Sequence, residues 1–315
     1  MIIKFTLMLF LMMVFVGSLK AQNSPTIDII LTESAKQTTN YQEAFKNLLA
    51  IETKTFEQFG KNGEVKEKKT VESNFLVYQS SKDEKISSEL RSVAKVDGKP
   101  VSDSVERSNR FFAELAKTTT LKSELEKIQK EGNRYDKTIE VTGLTLYEAV
   151  ILSDNLRPFF DFKLLSSENY QGNEVFIVSY SQTKKSPFIS FNEDNKGAND
   201  LTLNFELDLP NSLRKTDAFL NGKLWIDAKT YQIRREERIL TVQTENPVNI
   251  MESTFEYQPS NYEILVPKQI SVLVNKIKEK DKKYLVTKET KVSFDYSEFK
   301  KSDTDVKIID DTVKQ

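Results

Sequence analysis

The segment YLVTKETKVSFDY, residues 284–296, carries the alternation of apolar and polar side chains that decides the fold class. Successive side chains on a β-strand point to opposite faces, so a two-residue period places every residue of one phase on one face. In this segment one phase collects the apolar residues Tyr284, Val286, Val292, Phe294 and Tyr296. The pattern predicts a half-buried antiparallel strand.

The segment LTLNFELDL, residues 201–209, shows the same period and predicts a second strand of this kind. Its apolar phase consists of Leu201, Leu203, Phe205, Leu207 and Leu209. Further strand-like segments lie at about 48–59, 65–80, 84–96, 159–168, 173–182, 219–227, 231–243, 249–258 and 268–278. About eleven strands in a meander predict a large curved antiparallel sheet.

Several glycine-containing pairs are expected to turn the chain between strands, because Gly and Asn accept a positive φ at low cost. They are Asn62-Gly63, Asp97-Gly98, Gln171-Gly172 and Asn221-Gly222.

Helical spacing of apolar residues is confined to three regions. Residues 25–49 predict two helices broken near Thr38-Thr39-Asn40, residues 102–130 predict a long helix, and residues 145–155 predict a helical region that ends before Pro158. We therefore expect an α+β protein in which a few helices close the concave face of the large sheet.

The first 21 residues have the layout of a secretory signal, with a charged start, an apolar run from Phe5 to Val16 and small residues before a cut after Ala21. The apolar run is shorter than the roughly 20 residues that a membrane span needs. We expect a periplasmic or secreted chain that does not span the membrane after cleavage. Residues 22–300 are expected to form one β-rich domain, and residues 301–315 a frayed tail.

The absence of cysteine and histidine excludes several classes of chemistry. Disulfides, thiol nucleophiles, imidazole bases, the Ser-His-Asp triad and most zinc sites all need one of these residues. The formal net charge of −1 gives no long-range attraction to nucleic acid or to an anionic membrane, so we expect binding to neither. No P-loop or Gly-x-Gly-x-x-Gly motif is present, so we predict no cofactor and no metal.

Two short motifs copy parts of the penicillin-binding serine enzymes. Ser153-Asp154-Asn155 matches one element, and Ser-x-x-Lys at 181–184 and at 212–215 matches another. In those enzymes Ser-x-x-Lys comes first and Lys-Thr-Gly follows, whereas here the order is reversed and no Lys-Thr-Gly exists. We interpret these matches as coincidence.

Paired carboxylates would be the remaining route to a hydrolase. Glu236 and Glu237 are adjacent on a predicted strand, so their side chains point to opposite faces and cannot act together. We interpret RREER, residues 234–238, as a solvated strand face, or as an electrostatic rim for a partner.

The segment FLNGKLWIDAKTYQIRREER, residues 219–238, contains the single tryptophan and predicts a hairpin. Leu224 and Ile226 share one face of its first strand, and Trp225 lies on the other. We expect Trp225 to pack beneath a neighbouring long side chain, or else to line a ligand site.

This hairpin, followed by YEILVPKQISVLVN and TKVSFDYSEFK, resembles the C-terminal half of LolA/LolB-like exported bacterial proteins, the outer-membrane lipoprotein-sorting carrier group. Upstream, VAKVDGKPVSDSVERSNRFFAEL, EGNRYD and YQGNEVFIVSY resemble exported proteins that combine these blocks. The resemblance covers about residues 90–300. It implies an unclosed β-barrel whose concave apolar face holds an acyl chain or a hydrophobic peptide segment, and it implies no catalytic residue.

These observations predict a non-enzymatic binding protein for a hydrophobic small molecule, a lipid or a lipopeptide. The predicted cavity residues lie on two strands and on a helix that serves as a lid: Leu203, Phe205, Leu207, Val292, Phe294, Tyr296, Phe111 and Phe112. One alternative is an envelope sensor or structural module that binds another protein, which a contiguous apolar patch would favour. The other is a carboxylate-dependent hydrolase, which two acids converging in a cleft would favour.

Overall fold

The computed structural model describes residues 25–46, 48–79, 87–104, 106, 110, 122–136, 144–146, 148–191, 203–205, 207–281 and 283–301. Its α-helices include α1 (Ile27–Phe45) and α2 (Lys122–Gly132), and the described residues 104, 106 and 110 are also helical. Its strands are β1 (Leu48–Phe59), β2 (Val65–Gln79), β3 (Ser87–Val96), β4 (Lys99–Pro100), β5 (Phe160–Tyr170), β6 (Asn173–Gln182), β7 (Ile189–Phe191), β8 (Leu203–Phe205), β9 (Ala218–Asp227), β10 (Ile233–Val242), β11 (Val248–Pro259), β12 (Leu265–Lys280) and β13 (Lys283–Lys301).

Eleven of these strands form one sheet in the order β4-β3-β2-β1-β13-β12-β11-β10-β9-β6-β5. Every neighbouring pair in this sheet is antiparallel. The two end strands, β4 and β5, do not pair with each other, so the sheet is not closed. The predicted fold class, a large antiparallel sheet or unclosed barrel with a few helices, is confirmed.

The first helical region is one helix, not two. Thr38, Thr39 and Asn40 are weak helix formers, but the chain continues through them, and Thr39 Oγ1 donates a hydrogen bond to the Ala35 carbonyl at 3.2 Å. The burial of Tyr41 in the turn that follows outweighs the weak local propensity. The third predicted helical region, 145–155, contains turns and one short 3₁₀ helix, Val150–Leu152, and a second one, Arg157–Phe159, follows it and includes Pro158.

The predicted turn at Asn221-Gly222 is wrong, because both residues lie within β9. A Cβ atom at Gly222 would collide with the backbone carbonyl of Glu237 and with the ring of Tyr180. Glycine is therefore required here for close packing, and not for a positive φ. The other predicted turns hold, and Gly63, Gly98 and Gly172 all have φ between 73° and 82°.

The segment 201–209 is not a long antiparallel strand where it is described. Only Leu203–Phe205 form a strand, and this strand pairs in parallel with Ile189–Phe191 as a separate two-stranded sheet. By contrast, the predicted strand at 284–296 lies entirely within β13.

The core lies between one face of the large sheet and the segments that cover it, α1 and residues 149–160. On β1 the burial alternates residue by residue from Leu48 to Phe56, as expected for a strand with one covered face. Among the described residues, no helix combines the length and the apolar character needed to cross a membrane.

Candidate functional site

Helix α1 crosses the strands of the large sheet. Leu31, in its second turn, lies beside Phe160 and Phe162 of the edge strand β5. Tyr41 packs edge-on against Tyr257 of β11 at 6.1 Å between ring centroids, and Phe45 contacts Phe299 of β13 at 6.1 Å. The helix therefore spans most of the sheet and covers its apolar face.

A cleft of about 460 Å³ opens where the first turns of α1 meet β5, and we call it the α1–β5 cleft. Its apolar lining comes from Ile27, Leu31, Pro158, Phe160 and Phe162. Leu31 and Phe160 are at the same time members of the buried core, with 3% and 7% of their surface exposed. The floor of the cleft is thus the outermost part of the hydrophobic core.

The rim of the α1–β5 cleft is charged. Asp28, Asp154 and Asp161 are exposed carboxylates around it, and Arg157 is a half-buried cation among them. No set of three His, Cys, Asp or Glu side chains with the arrangement of a metal site occurs in the described part of the chain. An apolar floor with a polar rim is typical of small-molecule sites, whose volumes run from about 300 to 1,000 Å³.

A second region of the covered face, which we call the ionic cluster, is packed with buried charges on β1 and β3. Arg91 Nε and Nη2 donate hydrogen bonds to the two carboxylate oxygens of Glu52 at 2.7 and 2.8 Å, and Nη2 also donates to Glu89 at 3.1 Å. Glu89 Oε1 in turn accepts hydrogen bonds from the backbone N–H and the hydroxyl of Thr145, both at 2.7 Å. The cluster therefore joins the sheet to the segment around Thr145.

Lys54 extends the ionic cluster to the chain that follows α2. Its ammonium lies 2.7 Å from Asp136 Oδ2, and both side chains are less than 10% exposed. Burial lowers the pKa of Lys54 and raises the pKa of Asp136, because desolvation disfavours both charged forms. Burial opposes the charge of Glu52 in the same way, but the guanidinium of Arg91 outweighs it and lowers the pKa of Glu52.

A third buried polar group lies on β10. Arg238 donates two hydrogen bonds to Glu236, at 3.0 and 2.9 Å, and the hydroxyl of Tyr180 donates a third at 2.8 Å. Glu148 lies near this pair, and burial followed by repulsion from Glu236 raises its pKa well above the usual value. The third group thus combines the ion pair of Arg238 and Glu236 with a second buried acid, Glu148.

The interpretation of RREER as a solvated strand face is therefore wrong for half of the segment. Glu236 and Arg238 are 0% and 4% exposed. Their burial could have been predicted, because Glu236 and Arg238 are in the same two-residue phase as Leu240 and Val242, and residues of one phase share a face. Arg235 and Glu237, in the other phase, are half exposed and pair with each other at 2.8 Å.

The predicted cavity residues fall into three sets. Val292, Phe294 and Tyr296 are at most 4% exposed, share one face of β13 and belong to the main core. Leu203, Phe205 and Leu207 are half-buried and pack against the same core from the small sheet and the chain after it. Phe111 and Phe112 lie outside the described residues. Sequence reasoning missed Ile27 and Phe162, because the cleft joins segments that are distant in the chain.

Trp225 is half-buried on β9, and its indole is covered by neighbouring side chains. The Arg235 guanidinium lies 5.2 Å from the ring centroid, and the ring of Tyr170 lies 6.4 Å away. Leu224 and Ile226, on the opposite face, are both 0% exposed, as the predicted faces of this strand require.

We compared the chain with known proteins and structures. No family model and no curated protein matches it. The chain is similar to LolA-superfamily structures. A domain assigned to outer-membrane lipoprotein sorting, from Vibrio parahaemolyticus, has 9% identity and a TM-score of 0.34, with 85% of this chain and 90% of that chain covered. A LolA superfamily protein from Nitrosomonas europaea has 8% identity and a TM-score of 0.35, with 89% and 94% covered.

A third structure, a DUF1329 family protein from Desulfovibrio piger, has 11% identity and a TM-score of 0.36, with 88% of this chain and 94% of that chain covered. Likeness at this level says nothing about ligands.

Proposed function

We propose that this protein is an exported, non-enzymatic binding protein that takes an apolar group, such as an acyl chain, into the α1–β5 cleft. The observation that carries the proposal is the apolar floor of the cleft, which is continuous with the core through Leu31 and Phe160. The export signal predicted at residues 1–21 supports a periplasmic or secreted location.

The binding energy would come from apolar surface removed from water, at about 25 cal/mol per Å². Ile27 and Phe162 are half-buried and line the cleft, so a ligand there would cover surface that the fold leaves exposed. The charges of the rim remain in water and would contact the polar end of such a ligand. No charged group has to be desolvated for binding, which favours this mode over buried ion pairing.

We further propose that a long ligand reaches beyond the α1–β5 cleft into the interior. A long ligand would displace covering side chains from the face that carries Val292, Phe294 and Tyr296. The half-buried side chains Leu203, Phe205 and Leu207 have more room to adjust than the fully buried residues of β13. We therefore expect a ligand to reach Leu203, Phe205 and Leu207 before it reaches the buried residues of β13.

The carboxylates of the cleft favour binding over hydrolysis. Asp28, Asp154 and Asp161 converge on one cleft, which is the arrangement that a hydrolase would need. However, all three are exposed, whereas a carboxyl group that acts as a general acid is typically held in apolar, desolvated surroundings. Their position suits a solvated rim better than a catalytic pair.

The test is a titration of the mature chain with a fluorescent fatty acid, using two matched variants of α1. Ile27→Trp places a large side chain in the cleft, whereas Ile29→Trp makes the same change at a residue that is 49% exposed and does not line the cleft. We expect micromolar binding that Ile27→Trp weakens at least tenfold and Ile29→Trp leaves within twofold. Equal affinities of the two variants would contradict the proposed site.

A second candidate function, binding of an envelope protein, is favoured by one observation. Leu164 and Leu165 on the edge strand β5 are 39% and 52% exposed, and exposed apolar residues on a sheet edge favour association. The register shifts at Leu165, and such a bulge blunts the edge against an added strand. A partner would therefore dock on the leucine side chains. Loss of a co-purifying protein in Leu165→Lys but not in Ile29→Lys would support this function.

A further inference from the structure

The two strands β12 and β13 pair with each other beyond the ladders that join them to β11 and β1, although Asn275 still donates a hydrogen bond to the Asn249 carbonyl of β11 at 3.2 Å. β12 pairs with β11 only as far as Val274, and β13 pairs with β1 only as far as Thr290. The two strands continue to pair with each other as far as Lys280 and Lys283. Six residues beyond Val274 correspond to about 20 Å of strand. We call this two-stranded extension, residues 275–280 and 283–288, the ribbon.

One face of the ribbon contacts the rest of the protein, although Val286 on that face is 40% exposed. Ile277 is only 5% exposed and belongs to the main core. On the same face, Glu279 Oε2 accepts a hydrogen bond from the hydroxyl of Ser212 at 2.6 Å. Tyr284, which pairs with Glu279, also contacts Ser212, at 3.4 Å between the two hydroxyl oxygens. These contacts hold the ribbon in place.

The other face of the ribbon is open and basic. Cross-strand pairing places Lys278 opposite Leu285 and Lys280 opposite Lys283 on this face. All three lysines are exposed, and none of them forms an ion pair with another described residue. Lys276 also lies on this face, but it is paired with Glu289 at 2.7 Å.

Leu285 lies among these lysines and is 59% exposed, the largest exposed fraction among the large hydrophobic side chains described as exposed. An isolated exposed leucine needs no explanation. A leucine surrounded by three unpaired ammonium groups on a projecting ribbon is a different arrangement, because it offers apolar and cationic contacts to the same surface. The formal net charge of the whole chain is −1, so the chain as a whole carries no excess of positive charge.

We propose that the open face of the ribbon docks on an anionic phospholipid surface. Lysines near such a surface are attracted by the phosphate headgroups. The leucine enters the boundary between headgroups and acyl chains, while the lysine stems extend so that their charges stay at the headgroups. Nucleic acid would satisfy the lysines but would leave Leu285 without a partner.

This proposal does not depend on the ligand of the α1–β5 cleft, and its test is a separate one. The mature chain is sedimented with vesicles of phosphatidylglycerol and phosphatidylcholine in equal parts, and with vesicles of phosphatidylcholine alone. We expect binding to the anionic vesicles only, and a decrease of that binding as salt is added.

Three variants locate the contact. Lys278→Glu/Lys280→Glu/Lys283→Glu should lower partition to the anionic vesicles at least tenfold, and Leu285→Ser should lower it about three- to tenfold. The control Lys229→Glu/Lys268→Glu/Lys300→Glu makes the same change in net charge at exposed lysines away from the ribbon, and should stay within threefold of the wild type.

All of these positions are exposed, so circular dichroism should show folded variants with unfolding midpoints close to that of the wild type. The proposal is overturned if the wild type does not bind anionic vesicles, or if the two triple variants lose binding equally. An undiminished affinity of Leu285→Ser would also overturn it, because a purely ionic contact with free phosphate or an acidic protein would then explain the binding.

Discussion

The ionic cluster and the α1–β5 cleft lie on the same covered face of one sheet, yet they are built in opposite ways. In the cluster the charges are buried and paired, with Arg91 and Glu52 at most 3% exposed. In the cleft the apolar groups are partly accessible, and the charges, such as Asp28, stay in solvent. In the ionic cluster, buried ion pairs hold the covering segments against the sheet. At the cleft the covering segments are held by apolar contacts alone, and a ligand can compete with those contacts.

The largest expected effect is the loss of a partner from the ionic cluster. Arg91→Met leaves Glu52 and Glu89 buried without their guanidinium, which should cost about 3–5 kcal/mol of unfolding free energy. The matched control is Arg157→Met at the rim of the cleft, where Arg157 is half-buried, and it should cost less than about 1 kcal/mol. Chemical denaturation of both variants gives the comparison. Similar midpoints would show that the two regions do not differ as described.

The sequence predicted the strands much better than it predicted either region. The strands followed from a local two-residue period, and β1, β6 and β9 lie within a residue or so of their predicted bounds. Glu52 and Lys54 were in phase with the apolar residues of β1, but their burial depends on Arg91 and Asp136, which are distant in the chain. The role of Gly222 likewise depends on Tyr180 of another strand.

The next largest effect on stability is expected when a larger side chain is introduced into the close-packed core. Val292→Trp should cost about 1–3 kcal/mol, because Val292 is 1% exposed in a close-packed core. Ile27→Trp should change the unfolding free energy by less than about 0.5 kcal/mol, since the cleft beside Ile27 has space. Thermal or denaturant unfolding would check both. A large loss of stability in Ile27→Trp would mean that the cleft is closed in solution.

A smaller effect is expected from Glu148 and depends on pH. Its folded-state pKa is raised above the usual value of roughly 4.3 by burial and by Glu236. The stability that this group contributes is therefore complete below about pH 4 and is lost as the pH rises towards the folded-state pKa. Glu148→Gln, which stays neutral, should have a higher unfolding free energy than the wild type at pH 7.5.

The advantage of Glu148→Gln should disappear near pH 4. Glu252→Gln, at an exposed position on β11, should show no such dependence on pH. A difference between Glu148→Gln and the wild type that stays constant from pH 4 to 7.5 would contradict the burial of an unpaired acid at this position.

The most direct test of ligand binding in the cleft is native mass spectrometry of the exported protein purified from its own cell envelope without detergent. We expect an apolar molecule of one or a few defined masses on the wild type and on Ile29→Trp, and its loss or strong depletion on Ile27→Trp. Wild-type protein that carries no such molecule and gains none from added fatty acid would contradict the account.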